Sequence, residues 1–280
     1  MSNSSGHRSV SCSIGFSVTS PAVFAFQVAA AQTAGPRVDE LLDVTVDGAT
    51  DGVDVDEIET HRDGRTHVVR AEPGMLSVQY EASVGPADVA IDVGGGDAGY
   101  DDEVIAALRQ SRYCQSDALG RFASTEFAPQ LGSPDLARTI AAWVHDRFAY
   151  VPGVSGPLDT ALDTLVRHEG VCRDFAHVTI ALCRAVGIPA RLVAVYAPGL
   201  SPMDFHAVAE VRIDGTWEIL DSTRLAPRQS LVRIATGRDA ADTAFATTLS
   251  GDAELVSLSV SAVTEGPLPN DDHRGSVTIA

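Results

Sequence analysis

The sequence predicts an α+β protein with a β-rich front over residues 1–95 and a core over 96–280 in which a helix packs on an antiparallel sheet. Three observations carry this expectation. The front breaks into short alternating runs separated by Asp-Gly and Pro-Gly turn signals. The middle changes to helical period. After it come three strand-like runs, the last two joined by Asp214-Gly215, the strongest short hairpin signal. At 280 residues and 45% hydrophobic content, the chain can bury a substantial core.

In chain order, the first strand falls in "SPAVFAFQVAAAQ", where Phe24, Phe26 and Val28 alternate. A signal peptide is the competing reading, but only His7 and Arg8 are available for a basic n-region. "LLDVTVDG", "THVVRAEPG" and "LSVQYEASVG" continue the β pattern, and "VGGGDAGYDD" reads as a glycine-rich joint rather than a phosphate loop. In "SPDLARTIAAWVHDRFAY", Ser133 is the expected N-cap, and Leu136, Ile140, Trp143 and Val144 form the apolar stripe. "TALDTLVRHEG" is expected to close on Gly170. A helix from Cys172 to Val186 follows, with Gly187 and Pro189 as stop signals. "RLVAVYA", "AVAEVRI" and "TWEIL" are strands, and "AELVSLSVSAV" adds a C-terminal strand assigned to the core.

The net charge is −18, and every basic residue other than histidine is arginine. Without clustered positive charge the chain is not expected to bind nucleic acid, while an acidic surface suits a cationic substrate. No apolar run reaches membrane-spanning length. The four cysteines show no C-x-x-C and no dense disulfide spacing, which suits the cytoplasm. If Cys172 and Cys183 share one helix they lie about 16 Å apart along its axis, too far to bridge. Neither histidine ligand spacing nor a calcium loop occurs, so no metal or other cofactor is expected.

"GVCRDFAH" puts Cys172 in the first turn of a helix, where backbone N–H groups and the helix dipole favour a thiolate. The same position also accommodates a small buried cysteine. Three histidines could serve as its base. His177 lies five residues on, about 140° around the helix, and faces away. His168 precedes the turn, with nothing evident to orient it. His206 has a partner: a two-residue loop at Asp214-Gly215 sets Ile213 opposite Thr216 and Val208 opposite Asp221. His206 then becomes the diagonal neighbour of Asp221 on one sheet face, about 7–8 Å away. A cysteine at a helix start with His and Asp on a hairpin fits nucleophile, base and orienting carboxylate.

"GVCRDFAH…LCRAVGIPARLV", "DFHAVAEV" and "WEILDST" together resemble the transglutaminase-like superfamily, with "AYVPG" at 149–153 also fitting. The resemblance covers residues 100–245. It implies a papain-like core behind a β-rich N-terminal region, as in bacterial members, with Cys172 as nucleophile, His206 as base and Asp221 as its partner. Val208 departs from the tryptophan many relatives carry after "HA". The implied activity is a cysteine peptidase or amidase hydrolysing a peptide, isopeptide or small amide through an acyl-enzyme. Acyl transfer from glutamine to an external amine and a catalytically silent binding module are the alternatives. The natural substrate and the oligomeric state are left open.

Overall fold

The computed structural model describes residues 6–47, 53–60, 64–86 and 99–280. Six strands open the chain: β1 (Arg8–Val18), β2 (Ala22–Phe26), β3 (Arg37–Val46), β4 (Val55–Glu59), β5 (Arg65–Ala71) and β6 (Gly74–Val84). Then follow α1 (Asp102–Leu108), α2 (Ser116–Glu126), α3 (Leu136–Arg147), β7 (Ala149–Tyr150), α4 (Ala161–Arg167), β8 (Glu169–Gly170) and α5 (Cys172–Ala185). The chain continues with β9 (Ala190–Tyr196), β10 (Phe205–Ile213), β11 (Thr216–Leu220), β12 (Val232–Gly237), α6 (Ala240–Thr243), β13 (Ala246–Ser250) and β14 (Ala253–Thr264). The fold is α+β, and its three larger sheets are antiparallel.

Two four-stranded sheets, β14-β1-β6-β3 and β13-β2-β5-β4, stack as a sandwich. Alternation explains how they close. Val10, Cys12, Ile14 and Phe16 of β1 point inward and meet Phe24 and Phe26 of β2, with the Phe16 and Phe24 rings 5.1 Å apart. The third sheet, β11-β10-β9-β12, carries α5 on one face. Tyr196 of β9 joins it to the sandwich: its ring stacks on Tyr80, and its hydroxyl donates to the Val28 carbonyl at 2.7 Å.

Several expectations need correction. The first strand is β1, whose serine-rich solvent face weakens its hydrophobic signal; "AVFAF" is the second strand, and Phe24, Phe26 and Val28 are core residues. The C-terminal strand does not belong to the core sheet. β14 pairs along β1 and β13 along β2, because their apolar residues complete the sandwich rather than the helix-bearing sheet. Helix α3 starts at Leu136 rather than after Ser133. The Leu136 N–H bonds the Ser133 carbonyl in a single tight turn, and the Ser133 hydroxyl accepts from Asp135 N–H instead of capping. Helix α4 ends at Arg167, with His168 in the left-handed conformation (φ 59°), and not at Gly170. The strand β4 was not anticipated. The greater part of the glycine-rich joint, residues 93–98, lies outside the described residues.

Candidate active site

Cys172 is the first residue of α5, as its glycine-led motif predicts. The carboxylate of Asp174, nearly fully buried, accepts from the Val171 N–H at 2.9 Å and so closes the helix N-terminus. Gly170 is required by close approach: a Cβ there would sit 2.7 Å from the Asp174 Cβ. Arg173 faces away and pins the preceding loop, donating to Ser155 Oγ at 2.6 Å and to the Gly156 carbonyl at 2.7 Å. Cys172 itself is part-exposed, unlike Cys12, Cys114 and Cys183, which are buried. Burial pushes the Cys12 thiol up to about 11 and those of Cys114 and Cys183 up to about 12.

The hairpin has the expected register, with Ile213 opposite Thr216 and Ala209 opposite Leu220. It brings His206 and Asp221 together more closely than a diagonal pair requires: His206 Nε2 donates to Asp221 Oδ2 at 2.9 Å, both side chains 1% exposed. The second oxygen, Oδ1, accepts from the Thr223 hydroxyl at 2.6 Å and the Thr223 N–H at 2.9 Å. Asp221 is thus a fixed acceptor. With Nε2 so engaged, Nδ1 is the remaining nitrogen; it is buried and has no hydrogen-bond partner among the described residues. The Cys172 side chain is close enough to this ring to favour its charged form. Burial alone would disfavour the imidazolium, but the Asp221 charge and hydrogen bond, with Cys172, outweigh it and raise His206 to about 10. Asp221 is held below the usual carboxylate range: burial opposes this, and His206 and Thr223 overcome it.

The other two histidines stand elsewhere. His177 is fully buried, stacks on Tyr113 at 5.1 Å, and accepts from the Ala240 N–H through Nε2 at 3.1 Å. His168 ends α4 and stacks on Phe148.

Residue-by-residue reading of the sequence gave no role to a second set of groups. Tyr150 is on β7, whose parallel pairing with β8 sets Tyr150 beside Gly170. Its side chain is close enough to Cys172 for the two to interact, and its ring packs on Phe175 at 6.1 Å. Burial and the neighbouring Cys172 raise its phenol to about 12, so it stays a hydrogen-bond donor at neutral pH. Ser222 fastens the end of β11 to two helices: its hydroxyl meets Thr179 of α5 at 2.7 Å, and its carbonyl accepts from His145 Nδ1 of α3 at 3.0 Å. The "AYVPG" and "DST" stretches were the available signals. Among the described residues no cluster of three or more His, Cys, Asp or Glu is arranged to hold a metal ion.

Residues 123–222, a span containing all three predicted site residues, match the family model described as "Transglutaminase-like superfamily". A solved structure of a candidate cysteine protease from Cytophaga hutchinsonii is 35% identical and superposes with a TM-score of 0.84. The alignment covers 98% of this chain and 96% of that one. The chain belongs to the transglutaminase-like superfamily. An uncharacterized protein of Mycobacterium leprae is 30% identical over 116 residues, which are 37% of this chain and 40% of that protein. One of Mycobacterium tuberculosis H37Rv is 32% identical over 81 residues, or 29% and 26% of the two chains. The matched stretches therefore span less than half the length of these mycobacterial relatives. The Cytophaga likeness, in contrast, extends across the sandwich as well as the superfamily core.

Proposed function

We propose that this superfamily member is a thiol-dependent amide hydrolase, with Cys172 as nucleophile, His206 as its acid–base partner and Asp221 as the group that orients His206. The observation that supports it most is the buried His206–Asp221 pair, its free nitrogen Nδ1 left to the part-exposed thiol at the start of α5. A raised His206 favours an imidazolium beside the Cys172 sulfur, a partner able to hold and return the proton.

The thiolate attacks the amide carbonyl, forming a C–S bond and a tetrahedral oxyanion. The Cys172 N–H at the start of α5 and the nearby Tyr150 hydroxyl are the donors we assign to receive that charge. His206 gives its proton to the departing nitrogen as the C–N bond breaks. Water, deprotonated by His206, then releases the acid and restores the thiol. The substrate class is a peptide, isopeptide or small amide. A net charge of −18, with Asp204 close enough to act on Tyr150, favours a cationic one. All four cysteines are free, which supports a reducing compartment such as the cytoplasm.

Iodoacetamide labelling followed by mass spectrometry tests this reading. Cys172 should react at pH 6 while the three buried thiols do not, and His206→Ala should slow the reaction by about tenfold or more. Equal labelling of all four cysteines, or a Cys172 rate indifferent to His206, would remove its basis.

A further inference from the structure

The front sandwich has four outer edges, and those on one side carry most of the charge. Edge strand β3 bears Asp39, Glu40 and Asp43, and β4 bears Asp56, Glu57 and Glu59. Such charges keep an edge from pairing with another chain. The opposite side is formed by β13 and β14, neighbours through one hairpin; the two strands hold a single ionisable residue, Glu254, and the turn between them holds Asp252. Its apolar residues are open to solvent: Leu249 is 58% exposed, Val256 49%, Val263 45% and Leu258 38%. Among the described residues no strand pairs with the outer side of either.

A bulge at Gly15/Phe16 leaves Val256 as the extra residue of β14, so regular pairing with β1 begins at Ser257. The stretch from Ser257 to Thr264, "SLSVSAVT", is then a straight, uncharged run of backbone donors and acceptors at the rim of a strongly acidic molecule. A strand is what satisfies such an edge. A second copy of this strand fits it. Antiparallel pairing about Val260 sets Leu258 against Ala262 of the partner and Ser259 against Ser261, with each residue keeping its own face of the sheet. Glu254 and Glu265 then lie beyond the Ser257–Val263 stretch, so the central pairs carry no charge. A cationic ligand would find no carboxylate along Ser257–Thr264.

We infer that two chains associate through β14 about a two-fold axis, joining two four-stranded sheets into one of eight strands and removing both open edges. This is independent of the catalytic reading.

The test is light-scattering mass across concentration, in about 0.3 M salt to screen the repulsion of two acidic chains. The expected mass at high concentration is twice the 29.3 kDa of the chain. Ser259 is exposed, so Ser259→Lys should fold normally and shift the protein to monomer, whereas Val38→Lys on β3 should leave the dimer intact. Amide exchange over residues 257–263 should slow as concentration rises. A wild-type protein still monomeric at about 100 µM, where a dimer with micromolar Kd would be mostly formed, overturns the inference. So does a dimer that Ser259→Lys leaves unchanged.

Discussion

Asp221 spends one carboxylate oxygen on His206 and the other on Thr223, so it cannot turn away from the imidazole. Asp221→Asn keeps the shape and can keep the Thr223 contacts, but removes the charge that favours the imidazolium. The variant should melt cooperatively while activity falls by about a hundredfold or more. It should also move the alkaline limb of the pH–rate profile to lower pH, because loss of the His206 proton sets that limb. The sign extends to stability. A folded-state value raised to about 10 means that the His206 contribution is complete below 6.5 and is lost as pH climbs toward 10. A profile identical in wild type and Asp221→Asn would contradict this role. Tyr150→Phe preserves the ring on Phe175 and deletes only the hydroxyl near Cys172. The account expects kcat to drop by about tenfold to a hundredfold with KM and melting temperature unchanged. An unchanged kcat would show that the hydroxyl is not a donor to the reacting oxygen.

At the level of elements, the helix α5 and the β10–β11 hairpin were the legible parts. Asp214-Gly215 permits one short loop, and the loop fixes the register that sets His206 beside Asp221. Partners remote in sequence were not legible. Nothing local in residues 253–264 says that they lie on residues 8–18, and the solvent-face serines of β1 mask its alternation. The two-residue β7–β8 pairing that brings Tyr150 to Cys172 is too short to leave a periodic signature. Gly170 was read as a helix stop, yet its function is to let the Asp174 side chain close the start of α5. Gly170→Ala should therefore destabilise the protein by about 1–3 kcal/mol in urea unfolding, the range expected for overpacking. A neutral effect would mean that this turn relaxes freely.

Across the whole molecule, the last residues strap the sheet that carries α5. Ile219 N–H bonds the Val277 carbonyl, Arg233 donates to the Ile279 and Ala280 carbonyls, and Arg228 pairs with Asp271 in a site where both side chains are almost wholly buried. Ile219 is two residues before Asp221, so the strap supports the strand that carries the site. Asp271→Ala would leave the Arg228 charge buried and alone, at a cost of about 3–5 kcal/mol, read as a lower urea midpoint. The Asp271 carboxyl is held well below its ordinary range: burial opposes this, and the Arg228 hydrogen bonds outweigh it. Its contribution is therefore present at neutral pH and fades only in strong acid. The proposal that sandwich, sheet and α5 together build a Cys172-dependent amide hydrolase has a direct readout. It is tested most directly by incubating the protein with a panel of peptide and small amides plus a millimolar primary amine, beside Cys172→Ala, and identifying the products by mass. The account predicts free acid from the wild-type protein and none from Cys172→Ala; amine-linked product as the major species, or turnover that survives loss of the thiol, would contradict it.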